Sequence, residues 1–135
     1  MNVADQPKGF LDYIEWHLIV NDATHLFSAY LLALPIGWDR EKSKWQFGLC
    51  TFPLVAVVSC KFMLVGMSVI ESTDGEACDI QGIITGIGFI GGGALLKDQD
   101  KVAGTASAAS IWNTGAIGLA EASDRFEIAM RSNRF

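Results

Sequence analysis

Charge is scarce in this chain, and it is missing in blocks. Of 135 residues, 10 are Lys or Arg and 15 are Asp or Glu. Residues 47–70 hold one charged side chain, Lys61, while residues 80–96 and 102–120 hold none. A run of about 20 apolar residues spans a bilayer, and about 17 is near the lower limit. These three blocks therefore predict three membrane helices. Residues 18–37 make a fourth, with Asp22 and His25 near its start and "HLFSAYLLALPIG" uninterrupted after them. A soluble bundle would need polar surface to cover four such helices, and too few residues are left to supply it.

Other absences narrow the chemistry. The three cysteines, Cys50, Cys60 and Cys78, have no C-x-x-C spacing, which argues against a disulfide framework or zinc site. The two histidines, His17 and His25, have no helper acid at catalytic spacing, and no metalloprotease, nucleophile-elbow or phosphate-loop motif occurs. No basic patch points to nucleic acid. The N-terminal "MNVADQPKGFLDYIEWH" lacks the basic start of a secretory signal. Its Phe10, Tyr13 and Trp16 suit a short interfacial helix.

One stretch imitates an enzyme motif. Residues 86–91, "GIGFIG", fit the dinucleotide fingerprint G-x-G-x-x-G. That turn should be followed about 20 residues later by an acid on a second strand. The sequence there is "SIWNT", with no acid, so no nucleotide is expected. As a helix the glycines make sense. Gly82, Gly86 and Gly93 fall within about 40° of one another, and Gly88, Gly91 and Gly92 form a second face. Ile83, Ile87 and Ile90 form a bulky third face, expected to meet lipid. Small residues four apart let helices approach closely in membranes. The expectation is a central helix gripped on two sides.

The following segment, "VAGTASAASIWNTGAIGLA", places Gly104, Ala108 and Gly115 on one face, the expected mate of a glycine face. Ser107, Ser110 and Thr114 share another. That hydroxyl stripe could line a polar path, bond a neighbouring helix, or bond back to its own carbonyls. Lys61 sits mid-segment, where a lysine is costly and marks a functional site unless its stem reaches an interface. Glu71 and Glu121 are candidate partners. Pro53, early in the same segment, is expected to kink the helix.

The loops suggest an orientation. "GWDREKSKWQ" carries Arg40, Lys42 and Lys44 between two tryptophans, which places it in the cytoplasm. "ESTDGEACD" holds four acids, Glu71, Asp74, Glu76 and Asp79, and no base, which places it outside. It lacks a calcium-loop spacing, so no metal is expected. "KDQDK" returns inside, and the N-terminus and the arginine-bearing C-terminal tail lie outside.

Two blocks carry a family resemblance. "LLALPIGWDREKSKWQFGLCTFPLVAV" is similar to a signature that includes I-G-x-E-R-E and G-L-R-T. "ITGIGFIGGGALLKDQDKVAGTASAASIWNTGAIGLA" is similar to S-G-I-G-F-L-G-A-G-V-I followed by V-R-G-L-T-T-A-A-S-L-W. Together they resemble the MgtC/SapB family of membrane proteins over about residues 26–130. Asp39 stands for the first acid of E-R-E, while Cys50 and Ala103 replace two arginines of the pattern. Neither replacement can make an arginine's forked hydrogen bonds. The resemblance implies a bacterial inner-membrane protein without a cofactor. Family members are linked to growth at low magnesium, survival in macrophages, and control of ion transport or the ATP synthase through binding other membrane proteins. It also implies a fifth membrane helix, which would begin near "FEIAMRSNRF".

The reading is an all-α, polytopic membrane helix bundle with about four transmembrane helices. Residues 1–17 form an extracytoplasmic or interfacial segment, 18–122 the transmembrane domain and 123–135 a tail. The expected function is non-enzymatic support or regulation of a partner membrane complex in magnesium or ion homeostasis. Expected partners are the bilayer and other integral membrane proteins or further copies of the chain. Asp39, Arg40 and Glu41 form the expected cytoplasmic contact cluster. The alternatives are an ion transporter or channel lined by Lys61 and the hydroxyl stripe, or a permanent accessory subunit.

Overall fold

The computed structural model describes residues 16–42, 48–70, 72–98 and 101–133. The fold is all-helical apart from one small hairpin. In chain order it has α1 (Trp16–Glu41), α2 (Thr51–Val69), α3 (Thr73–Gly93), β1 (Leu96–Asp98), β2 (Lys101–Ala103), α4 (Thr105–Ala122) and α5 (Phe126–Ser132). The strands pair antiparallel, Leu96 opposite Ala103 and Asp98 opposite Lys101. The expected interfacial helix lies at residues 1–15 and the rest of the basic loop at 43–47, both outside the described residues.

Local chemistry explains the helix starts. Ser72 caps α3 by accepting from the Gly75 amide at 3.2 Å, and Asp74 and Glu76 place negative charge at the positive end of the helix. At α2, the Glu41 carboxylate reaches back from the end of α1 and accepts from the Leu49 amide at 3.2 Å. Pro53 is the third residue of α2. First-turn amides have no partner within the helix, so this proline costs no hydrogen bond. Gly104 precedes α4 with φ 90°, and a Cβ there would overlap the Ala94 carbonyl oxygen. It is a turn glycine rather than part of a helix face, because only a residue without a side chain fits that left-handed approach.

Two helices, α1 and α2, are long and apolar enough to cross a membrane. The other two long helices miss that measure for visible reasons. α3 spends its first seven residues on Asp74, Glu76 and Asp79, and α4 is rich in Ala, Ser and Thr and ends near Glu121.

The centre of the bundle is α4. Helices α1, α2, α3 and α5 all pack against it. Its buried residues include Ser107, Ile111, Thr114, Gly115, Ile117, Gly118 and Glu121. The expectation of α3 as the central helix is therefore corrected: α3 is peripheral and has only Ile87 and Gly91 buried. The isoleucine stripe is corrected with it. Ile87 is 6% exposed and Ile83 packs on the core, while Ile90 stays half exposed. Gly115 on α4 provides a notch that Ile87 fills. A bulky side chain entering a notch gains more dispersion contacts than two bare glycines facing each other. At Gly118 the backbones of α4 and α2 approach so closely that a Cβ would overlap the Ala56 carbonyl oxygen.

The tail folds back. α5 buries Ala129, and the Asn113 side-chain amide of α4 donates to the Ser132 carbonyl at 2.9 Å. Arg125 lies 2.6 Å from Glu127 and, by hydrogen bonding, holds that exposed carboxyl below its ordinary range.

Candidate functional site

A cluster of polar side chains lies between the last turn of α4 and the first half of α1, with Glu121 and His25 buried and Asp124 exposed at its edge. Glu121 is 0% exposed. Its Oε2 lies 2.5 Å from Ser28 Oγ. One turn before Ser28, His25 is also buried, and its Nε2 lies 3.6 Å from Asp124 Oδ1. The His25 ring stacks on Phe126 at 6.0 Å between centroids and 6° between planes. Asp124 enters the cluster because the chain leaves α4 through a left-handed residue, Asp124 itself, at φ 55°. The polar groups adjoin a buried apolar layer that includes Ala29, Cys60, Met63 and Ala122.

Two atoms in this cluster are buried without a partner, Glu121 Oε1 and His25 Nδ1. Buried polar atoms normally have hydrogen bonds, and one that lacks them is costly. Ser28 Oγ also lies 3.0 Å from the His25 carbonyl oxygen. A hydroxyl has one proton, so two arrangements satisfy these distances. Either Ser28 donates to the Glu121 carboxylate, or the carboxyl donates to Ser28 while Ser28 serves the carbonyl. Both arrangements keep the heavy atoms where they are.

The sequence did not single out this cluster. Glu121 follows an uncharged run of 19 residues, 102–120, and the sequence offers it only as a partner for Lys61. His25 and Ser28 are three apart, hence on one helix face. Those are the two signals that could have found it. The structure does not join Glu121 to Lys61. Lys61 is exposed on α2, and the ion pairs among the described residues do not include it.

Asp39, Arg40 and Glu41 divide into two groups. Arg40 and Asp39 pair at 2.7 Å and line a cavity of about 600 Å³ with Pro35, Ser110 and Asn113. Glu41 turns instead toward Gly48 and Leu49 at the start of α2.

Of the hydroxyl stripe, Ser110 and Thr114 donate to carbonyls of their own helix, at 2.8 and 2.7 Å. Ser107 and Thr114 are buried against neighbouring helices. Among the glycines, Gly91 packs on Ala108 of α4 and Gly115 receives Ile87. Gly82, Gly86, Gly88, Gly92 and Gly93 meet nothing within 4 Å of where a Cβ would stand. Among the described residues, no group of three or more His, Cys, Asp or Glu could hold a metal ion.

Comparison with known proteins places these features. The MgtC family profile matches residues 26–133. Protein SrpB of Synechococcus elongatus is 31% identical over 131 residues, covering 87% of this chain and 68% of SrpB. Protein MgtC of Brucella abortus is 33% identical over 104 residues, covering 77% of this chain and 43% of MgtC. YhiD of Escherichia coli, described as a candidate magnesium transporter, is 34% identical over 102 residues, covering 70% of this chain and 47% of YhiD. The chain thus spans about two thirds of one relative and under half of the other two. No solved structure is a significant match. With a family match that covers both glycine-rich helices and the Asp39–Arg40 turn, this membrane-type helical chain belongs to the MgtC family.

Proposed function

We propose that this protein is a non-enzymatic, multi-pass protein of the bacterial inner membrane that supports or regulates a partner membrane complex in magnesium homeostasis. In this reading α3 and α4 cross the bilayer with α1 and α2. The observation that carries the proposal is the uncovered side of α3. Five of its glycines meet nothing among the described residues, and a glycine face without a neighbour is expensive to keep. Close helix packing is what such faces provide in membranes. The magnesium setting is supported by the description of YhiD and by family membership.

The groups once expected to line a transport path do not support one. Lys61 lies on the outside of α2, while Ser110 and Thr114 spend their protons on their own helix. A second reading, ion or proton transport, is favoured by a different observation: the Glu121, Ser28 and His25 cluster with its two unpartnered atoms. Intramembrane acids and histidines of this kind mark proton relays in transporters.

Purification from native membranes in mild detergent tests the proposal. A stoichiometric integral membrane partner, lost when Gly82 and Gly86 are both replaced by Leu, is the expected result. A chain that is monodisperse and alone under every mild condition overturns it.

A further inference from the structure

The mid-section of α2 and the outer side of α3 enclose an open, almost wholly apolar groove of about 750 Å³. Leu54, Val58 and Phe62 form one wall, and Gly82, Gly86 and Ile90 the other. The groove exists because α3 leans on α4 through Ile87 and Gly91. It touches α2 near Asp79 and Gly66, and beside Gly82 and Gly86 the space is empty. The α2 lining runs from Leu54 to Val69, about 22 Å at helical rise, or four turns.

Lys61 is exposed on α2 and, by helical spacing, lies on the stripe that borders the groove wall rather than in its lining. It follows Leu54 and Val58 and precedes Val65 at spacings of seven, three and four, so the four share one stripe of α2. From Lys61 the ends of α2 are about 12 and 15 Å away, farther than a four-carbon stem extends. A lysine at that depth needs an anion.

We infer that this groove seats one transmembrane helix of another protein, carrying a carboxylate at the depth of Lys61. The inference rests on the proposed function and names the chemistry of the partner. A helix meets every feature: its length matches the groove, the glycines admit its backbone, and its acid neutralises Lys61. A lipid chain would fill the floor and leave Lys61 unpaired, and a lipid phosphate sits at the interface rather than mid-span. Among the described residues, a second copy of the chain offers no exposed acid at that depth. Its described exposed carboxylates, such as Asp22, Asp39, Asp74 and Asp124, all lie within two turns of a helix end.

The test uses the full chain, labelled and reconstituted in phosphatidylcholine vesicles, with synthetic Leu/Ala transmembrane helices bearing a central Asp or a central Leu. Energy transfer reads association. The Asp helix is expected to bind roughly tenfold more tightly than the Leu helix. Lys61→Leu removes that preference, and Lys61→Asp transfers it to a helix with a central Lys. The charge swap guards against a variant that merely misfolds. Equal binding of both helices to the unaltered chain overturns the inference, as does a preference that survives Lys61→Leu. Self-association that Gly86→Leu abolishes would make a second copy the occupant and also overturn it. If the Asp preference is absent while Lys61→Leu still purifies with its native partner, the groove assignment fails and the proposed function stands. If no native partner exists, the proposed function fails and the inference fails with it.

Discussion

Ser28 Oγ and Glu121 Oε2 lie 2.5 Å apart and join α1 to α4 across 93 positions of sequence. Away from water, this bond gives the Glu121 side chain its one partner, while Oε1 has none. It also sets the depth of α1 against α4, because neither residue can slide one turn without exposing a polar atom to an apolar layer. Ser28→Ala should therefore destabilise the bundle by about 1 kcal/mol, the scale of an interhelical hydrogen bond in a bilayer. Equilibrium unfolding in mixed micelles measures it. An unchanged midpoint in Ser28→Ala would show that the bond contributes nothing.

Gly118 and Gly82 should respond in opposite ways to the same added methyl. At Gly118 a Cβ would overlap the Ala56 carbonyl oxygen and crowd Ser59, so α2 must move away from α4. Overpacking of this kind costs about 1–3 kcal/mol. At Gly82 the space is open, and alanine is the better helix former. Gly118→Ala should lower the stability of the isolated chain, and Gly82→Ala should leave it equal or slightly higher. The same micelle titration distinguishes them, and equal losses at both sites would contradict the placement of α4 at the centre.

The notch at Gly115 predicts coupling. Ile87 occupies the space a Cβ at residue 115 would need. Gly115→Ala should destabilise alone, and Ile87→Val, which shortens the intruding chain, should recover part of the loss. A double-mutant cycle is expected to give a favourable coupling of about 0.5–1 kcal/mol. Strict additivity would mean that α3 does not dock on α4 through this pair.

These predictions mark where the sequence was informative. The uncharged blocks located α2 and α4 to within a few residues, because in these segments the run of apolar and small side chains is the helix itself. α3 begins at Thr73, earlier than its apolar block, because Ser72 and two first-turn acids supply the cap. The hairpin at residues 96–103 is not visible in the sequence, since three-residue strands leave almost no pattern. Helical periodicity sorts the α3 residues by angle, but it does not say which face meets which neighbour. That depended on the notch at Gly115, 28 positions beyond Ile87 in sequence. The site was half legible: the acid and histidine were visible as residues, whereas their sealing depends on the fold of α1 over α4 and on the left-handed turn at Asp124.

Magnesium flux through the purified protein, reconstituted alone in liposomes, tests the central claim most directly. A protein that acts by holding a partner should pass no more magnesium than empty liposomes, with or without an imposed proton gradient. Flux well above that background, carried by the unaltered chain and abolished by Glu121→Gln, would contradict the account and make the buried Glu121 cluster the centre of a transporter.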